Sequence, residues 1–268
     1  MGHRRAMKKL IHSSNAMSPA TDQIASVQPP DIVLQDIALA YRNVVAIEGL
    51  SGRFVHGSLT AIVGTNGAGK TTLLKGLLGL MRPAQGRIQC PWTSREMAYL
   101  SQASEIDRRF PITVADFVAV GLWRRVGGLR AVNRPLKQSI RDAVIAVGLQ
   151  DFEQAWINDL SGGQFQRVRF ARLLVQDAPV VLLDEPFAGI DSPTVLDLLH
   201  LIDQWHAASK TVITVLHDLE LVKAYFPNTL VLSGKKFFWD QTEQSLSAFE
   251  QSNREQRRLP GPSSRSFS

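Results

Sequence analysis

The apolar positions of the chain form two patterns: short, largely aliphatic runs, and longer stretches with helical spacing. The short runs predict strands at residues 59–63, 180–183 and 212–216, with further strand-like patterns at 32–41 and 96–102. The run at 180–183 is unbroken, which is typical of parallel strands that are covered on both faces. Helical spacing predicts helices within residues 73–78, 114–120, 139–147, 165–174 and 196–202. Because strands and helices alternate along the chain, we expect an α/β domain.

The two ends of the chain have neither pattern. Residues 1–30 are polar, and from residue 241 onward polar residues, serines and a Pro-Gly-Pro sequence at 260–262 predominate. Such a composition buries too little apolar surface to offset the entropy of ordering the chain. We therefore predict a disordered N-terminal extension at 1–30, one folded domain at 31–240 and a disordered tail at 241–268.

The amino-acid composition indicates in which compartment the protein works. The chain has 268 residues, of which 44% are hydrophobic, enough for one sizeable core. Cys90 is the lone cysteine, and no apolar run approaches the length that crosses a bilayer. The basic N-terminal stretch lacks the apolar segment of a signal peptide. We therefore expect a cytoplasmic protein that reaches a membrane through a partner.

The net charge of +6 raises the question of a nucleic-acid partner. Most of the excess lies in the tails: residues 1–11 carry four basic side chains and no acidic one, and residues 253–268 carry four basic side chains and one acidic one. The body of the chain is nearly neutral, and we predict no nucleic-acid partner. A basic stretch at 108–141 has two interpretations, a solvated face or a surface near anionic lipid headgroups, and the first is the more common.

The first candidate site matches the phosphate-loop pattern G-x-x-x-x-G-K-S/T between a predicted strand and a predicted helix. Its glycines let successive backbone N–H groups turn toward a polyphosphate, and the helix start adds the positive end of its dipole. Lys70 can then reach the β- and γ-phosphates, and the Thr71 hydroxyl can coordinate Mg²⁺. A glycine-rich turn that merely caps a helix is the alternative. The predicted ATP-binding residues are Gly64, Thr65, Asn66, Gly67, Ala68, Gly69, Lys70, Thr71 and Thr72.

A second helix start suited to an anion lies at residues 160–164. Ser161 is a favourable N-cap residue, Gly162 and Gly163 expose backbone N–H groups, and Gln164 precedes an apolar helical pattern. One chain therefore has two helix ends that can bind phosphate.

Polar side chains follow two of the buried strands, at the edge where α/β proteins bind ligands. Asp184 and Glu185 follow residues 180–183; Asp184 can hold Mg²⁺ and Glu185 can polarise an attacking water. His217 follows residues 212–216 and could donate a hydrogen bond to a γ-phosphate. Each has a structural alternative, because carboxylates at strand ends and lone histidines are common without a functional role.

Two further strand ends carry weaker signals. Tyr41 ends the predicted strand at 32–41 and could stack on an adenine ring, although a half-buried strand tyrosine fits equally well. Gln102 ends the strand at 96–102, and by itself an amide there means little because amides are common in loops.

The order of these motifs resembles that of the nucleotide-binding subunit of ATP-binding cassette (ABC) transporters over residues 31–240. The resemblance implies a P-loop NTPase of ABC type, with a mixed sheet core, an antiparallel β subdomain and a helical subdomain. The helical subdomain, at about residues 103–175, would carry the family's signature motif at 160–164. The resemblance also implies an ATPase in which Glu185 and His217 are catalytic. The implied Mg²⁺ ligands are Thr71, Gln102 and Asp184.

The family resemblance further implies a head-to-tail homodimer, in which the two subunits share each ATP. The phosphate loop of one subunit would grip ATP while the signature motif of the other caps the γ-phosphate. Permease subunits in the membrane would dock near Gln102 and the helical subdomain, on the cytoplasmic face of the inner membrane. An extracytoplasmic substrate-binding protein would be an indirect partner. The residues implied to face the partner's ATP are Ser161, Gly162, Gly163, Gln164 and Asp191.

Residues 105–107, 110–114 and 187–191 resemble the branch of the family that imports divalent transition metals. We prefer zinc as the cargo, with manganese next; an iron chelate is an alternative. Thr65, where proline is common in the family, and Gly189-Ile190, where alanine-leucine is common, remove no catalytic group.

Two other classes of function are open. One is a non-transport ABC ATPase that acts on DNA or ribosomes; the chain has neither the long coiled coil nor the second cassette that is usual there. The other is a module that binds ATP without turnover, and the presence of Glu185 and His217 argues against it.

Overall fold

The computed structural model of the protein describes residues 30–41, 44–102, 107–123 and 134–258. Predictions for residues 1–29, 103–106 and 259–268 lie outside these ranges. The described strands are β1 (Ile32–Tyr41), β2 (Val44–Phe54), β3 (Leu59–Gly64), β4 (Gln85–Gln89), β5 (Met97–Leu100), β6 (Val180–Asp184), β7 (Thr211–Val215), β8 (Asn228–Ser233) and β9 (Lys236–Gln241). The described α-helices are α1 (Lys70–Leu77), α2 (Val114–Ala119), α3 (Arg134–Ala146), α4 (Gly162–Gln176), α5 (Ser192–Ala207), α6 (Leu219–Tyr225) and α7 (Thr242–Arg258).

Six strands form a central mixed sheet in the order β5-β6-β7-β3-β8-β9. The first five are parallel, and β9 pairs antiparallel with β8. Every residue of β6 and β7 is buried, as their largely aliphatic sequences predict. Because β6, β7 and β3 are neighbours, the segments that follow them emerge at one edge of the sheet.

A separate antiparallel sheet has the order β2-β1-β4. Ile37 and Leu39 of β1 share a hydrophobic core with Leu73 and Leu74 of α1 and with Ile62 of β3. The core therefore joins this sheet to the central sheet around α1. The mixed sheet and the antiparallel β subdomain are both confirmed.

Helices α2, α3 and α4 pack together in a second core. It includes Phe117 of α2, Val144 of α3 and Phe165 of α4, and the ring centroids of Phe117 and Phe165 are 5.7 Å apart. Helix α3 already includes Arg134, so it extends further toward the N-terminus than the pattern at 139–147 predicts. Helix α4 begins directly after Ser161, so the predicted helical subdomain carrying the signature motif is confirmed.

Several arginines of the basic stretch at 108–141 bind within the chain. Arg109 pairs with Asp107 at 3.0 Å, and Arg141 pairs with Glu153 at 3.1 Å. Arg108 donates to backbone carbonyl groups that precede α4. These contacts favour a solvated and structural role for the described part of the stretch.

The prediction of a disordered tail from residue 241 is wrong for residues 242–258, which form α7. Leu246 is buried, and the ring of Phe249 lies 6.2 Å from that of Phe238. The Ser245 hydroxyl donates to the carbonyl oxygen of Thr229 at 2.8 Å. Two apolar side chains and a buried hydrogen bond therefore hold a helix whose composition is otherwise polar. Among the helices described, none combines the length and apolar character needed to cross a membrane.

Candidate functional site

The phosphate loop lies between the end of β3 and the start of α1. Gly69, the N-cap residue of α1, has φ of +91°, and a Cβ there would lie 2.7 Å from the Ile47 side chain. A Cβ on Gly64 would lie 2.3 Å from the carbonyl oxygen of Leu232. Both positions therefore require glycine, one for conformation and space and the other for space.

Lys70 lies across this loop with little solvent exposure. Its Nζ donates to the carbonyl oxygens of Gly64, at 2.9 Å, and Thr65, at 3.0 Å. Burial lowers the pKa of Lys70 below its ordinary value, and the carboxylates of Glu185 and Asp184 oppose that shift. The ammonium group is thus held by the loop backbone, and the negative charges of Glu185 and Asp184 favour its charged form.

A polar cavity of about 420 Å³ opens over the loop. It brings together residues that the sequence places far apart, because three neighbouring strand ends meet beside α1. The residues that line it are Asn66, Gly67, Gly69, Lys70, Thr71, Thr72, Gln102, Glu185 and His217. All nine are predicted site residues.

Glu185 is the meeting point of the cavity's polar side chains. Its Oε1 accepts a hydrogen bond from Nε2 of Gln102 at 3.2 Å and lies 2.8 Å from Nε2 of His217. The backbone of Glu185 has φ of +51°, in the left-handed region that a non-glycine residue rarely adopts. Strain of this kind persists where the surrounding structure holds the residue in place, and it is common at functional sites.

Asp184 lies just behind the cavity and is almost fully buried. The hydroxyl of Tyr99 donates to its Oδ2 at 3.5 Å, a contact that no sequence pattern predicts. The Thr71 hydroxyl, the Gln102 amide and the Asp184 carboxylate form an oxygen-donor set of the kind that Mg²⁺ prefers. These residues therefore fit a magnesium ion.

The signature motif lies outside the cavity. Ser161 accepts from the backbone N–H of Gln164 at 3.2 Å, and the Gln164 side chain accepts from the N–H of Ser161 at 2.9 Å, which forms a capping box. Ser161 and Gly162 are exposed. No signature residue is among the described residues that line the cavity, so a single chain does not bring its two helix ends together around one site.

Asp191 lies beside the signature motif. It caps α5 by accepting from the backbone N–H and the hydroxyl of Thr194, and these hydrogen bonds lower the pKa of its carboxyl. A Cβ on Gly163 would lie 3.2 Å from Oδ1 of Asp191. The two segments predicted to face a second subunit are therefore neighbours.

Tyr41 is 55% exposed at the end of β1 and does not line the cavity. Its role in adenine stacking stays a prediction. Val44 and Val45, which pair with the end of β1, are also exposed. They extend the apolar surface around Tyr41, and the sequence analysis missed them because two exposed valines in a strand carry no distinctive pattern.

Comparison with known proteins identifies the family. The model of the ABC transporter family matches residues 47–188, more than half of the chain. The chain belongs to the ABC transporter family. Its members of this type bind and hydrolyse ATP, so the chain is an ATPase subunit and the predicted ATPase fold is confirmed.

Two relatives and one solved structure are especially similar to this ABC ATPase. The manganese transport system ATP-binding protein MntB of Listeria monocytogenes is 39% identical, over 80% of this chain and 91% of that protein. The zinc transport system ATP-binding protein TroB of Treponema pallidum is 38% identical, over 75% of this chain and 78% of that protein. The structure of a metal-chelate type ABC transporter in an inward-facing conformation aligns with a TM-score of 0.74 at 25% identity, over 83% of this chain and 90% of that one.

Proposed function

We propose that this ABC ATPase powers the import of a divalent transition metal through separate permease subunits. The observation that carries the proposal is its match to manganese and zinc transport subunits over most of its length. Identity to the two is nearly equal, so zinc, the cargo preferred from the sequence, stays a prediction beside manganese. A metal chelate is the second candidate, because the solved structure noted above belongs to a transporter of that type.

In this proposal the residues of the cavity bind Mg·ATP. The backbone N–H groups of residues 64–72 and the ammonium of Lys70 hold the phosphates. Thr71, Gln102 and Asp184 hold Mg²⁺, which would offset the negative charge of the β- and γ-phosphates. Tyr41 supports the adenine ring.

Glu185 acts as the general base in the same proposal. Its carboxylate is held at the cavity by Gln102 and His217, and a carboxylate in that position can accept a proton from a water that attacks the γ-phosphate. His217 holds Glu185 in place, and we assign to it a hydrogen bond to the γ-phosphate as well. The strained backbone of Glu185 supports this assignment, because strain of that kind clusters at functional sites.

The proposed active form is a head-to-tail homodimer. The exposed Ser161 and Gly162 of one subunit, with Gly163, Gln164 and Asp191, face the ATP held by the phosphate loop of the other. The support is geometric: in one chain the signature motif lies outside the cavity, although its helix start suits an anion.

A role in metal import also requires partner proteins. Permease subunits dock near Gln102 and the helical subdomain, which holds the ATPase at the cytoplasmic face of the membrane as a peripheral subunit. An extracytoplasmic binding protein delivers the metal to the permease. No nucleic acid takes part.

Transport-coupled ATPase activity tests the proposal. The complex of this chain with its permease is reconstituted in proteoliposomes, and ATP hydrolysis is measured with the binding protein loaded with Mn²⁺, Zn²⁺ or a ferric chelate. We expect Mn²⁺ or Zn²⁺ to stimulate ATP hydrolysis and to accumulate inside the proteoliposomes. With a complex carrying Glu185→Gln, we expect neither stimulation nor accumulation. Stimulation by the ferric chelate alone would replace the proposed cargo, and no stimulation by any of the three would overturn metal import.

A further inference from the structure

Arg169 is a buried charge in the middle of the signature helix α4. Its side chain is 1% exposed and is the largest fully buried side chain among the described residues. Its Nη1 donates to Oε1 of Gln166 at 2.6 Å, and its Nη2 donates to the carbonyl oxygen of Ser101. Burying a guanidinium group is costly unless its hydrogen bonds are made, so these contacts fix the side chain in one geometry.

Gln166 connects Arg169 to a second backbone segment. It is also buried, and its Nε2 donates to the carbonyl oxygen of Pro186. A continuous line of hydrogen bonds therefore runs from Ser101 through Arg169 and Gln166 to Pro186. We call Arg169 and Gln166 the buried strut.

The two ends of the buried strut lie next to the residues that meet in the cavity. Ser101 directly precedes Gln102, and Pro186 directly follows Glu185. The Gln102 amide and the Glu185 carboxylate are 3.2 Å apart. The strut therefore holds the backbone on both sides of that contact, and it belongs to the helix that Ser161 caps.

We infer that Arg169 and Gln166 are positioning residues for ATP hydrolysis. The strut fixes the Gln102 and Glu185 segments relative to each other and to α4, so that the signature motif and the hydrolytic side chains move as one unit. This inference rests on the roles proposed above for Gln102 and Glu185. Neither Arg169 nor Gln166 lines the cavity, so we expect the strut to act chiefly on the placement of the reacting groups and only weakly on the binding of ATP.

Two variants with different chemistry test the strut. Arg169→Met keeps an unbranched side chain but replaces the guanidinium group with an apolar end, which removes both hydrogen bonds. Gln166→Glu keeps the size of the side chain and the acceptor for Arg169 but cannot donate to Pro186. Because a misplacement of about 1 Å can cost roughly 100-fold in rate, we expect kcat to fall about 10- to 100-fold in each, with the KM for ATP within about twofold.

A matched control separates positioning from stability. Val168→Ala changes a fully buried residue on the same helix and leaves the strut intact. We expect it to lower Tm while it keeps kcat near the wild-type value. The double variant Arg169→Met/Gln166→Leu, which leaves no buried charge, should be no slower than the slower of its two single variants, because both break one network. Arg169→Lys, which can still donate to Ser101, should recover part of kcat.

The outcomes distinguish the strut from the proposed function. Wild-type kcat in folded Gln166→Glu, or an equal loss of kcat in Val168→Ala, would overturn the strut. If Arg169→Met does not fold, Gln166→Glu and the control decide alone. Glu185→Gln is assayed in parallel. Wild-type turnover in that variant would overturn the role of Glu185. If Glu185→Gln loses turnover while the strut variants keep full activity, the strut alone is overturned.

Discussion

Oε1 of Glu185 lies 2.8 Å from Nε2 of His217 and accepts a second hydrogen bond from Gln102. Because an ionised carboxylate can only accept, Nε2 of His217 carries the proton in this contact. One oxygen atom therefore connects the segments that follow β5, β6 and β7. We expect a change in the position of any of these segments to alter the position of the Glu185 carboxylate.

Replacing Glu185 with Gln removes the base but keeps the size of the side chain and its contacts with the cavity. General-base catalysis is typically worth about 100- to 10,000-fold in rate, so we expect turnover to fall by that factor while Mg·ATP still binds. The variant should then accumulate as an ATP-bound dimer, which size-exclusion chromatography with multi-angle light scattering measures.

Glu220→Gln is the matched control for that experiment. Glu220 is an exposed carboxylate on α6 that forms a surface pair with Lys223 at 3.3 Å. It should keep wild-type turnover and stay monomeric without trapping ATP. Equal loss in both variants would point to a general effect of charge and away from a base at Glu185.

The cavity was predictable because its signals are contiguous or follow from sheet topology. The phosphate loop is a fixed local pattern, and Asp184, Glu185 and His217 each follow an aliphatic run whose strand takes its expected place in a parallel sheet. The contact of Arg169 with Ser101 spans 68 positions and follows no local pattern. In the sequence, the buried Arg169 looks the same as the partly exposed Arg167 and Arg172 on the same helix.

The C-terminal helix escaped prediction for a different reason. Its apolar residues are too few to give a clear helical period, and its order depends on tertiary contacts of Leu246, Phe249 and Ser245. Tertiary packing often decides helix formation where propensity is weak. The helix is therefore ordered by its contacts with the folded domain, and the free energy of unfolding can test those contacts.

Leu246→Ala tests whether α7 belongs to the folded domain. Leu246 is 4% exposed, and large-to-small changes at such sites cost about 2–5 kcal/mol in the free energy of unfolding. We expect a loss in that range by urea denaturation. Gln251→Ala, at an exposed position of the same helix, should change stability by less than about 0.5 kcal/mol. Equal stability of the two variants would mean that α7 does not contribute to the core.

Mixing two inactive variants tests the head-to-tail dimer. In a Glu185→Gln background, one chain carries Lys70→Ala and the other Ser161→Arg. Each variant alone should fail to dimerise with Mg·ATP, because both sites of its homodimer lack one component. The mixture should form dimers that hold a single ATP, since one site then combines the intact phosphate loop of one chain with the intact signature motif of the other.

The control for that mixture pairs Lys70→Ala with a chain that carries both substitutions. It contains no intact site in any arrangement and should remain monomeric. Dimers in this control, or none in the complementing mixture, would contradict a site shared between two subunits. Because neither variant dimerises alone, dimers in the mixture require both chains, and misfolding of either chain would lower the signal instead of creating it.

Tyr41 offers a test of where the adenine ring lies. Stacking of a base on an aromatic side chain is worth about 1–3 kcal/mol, so Tyr41→Ala should raise the Kd for ATP roughly 5- to 150-fold, whereas Tyr41→Phe should keep it near the wild-type value. Tyr225→Ala changes a comparably exposed tyrosine, 47% against 55%, that lies on α6 away from the phosphate loop, and it should leave the Kd unchanged. Isothermal titration in the Glu185→Gln background measures all three without turnover. An unchanged Kd in Tyr41→Ala would assign the residue to the surface of β1 alone, and the exposed Val44 and Val45 would then be the next side chains to test.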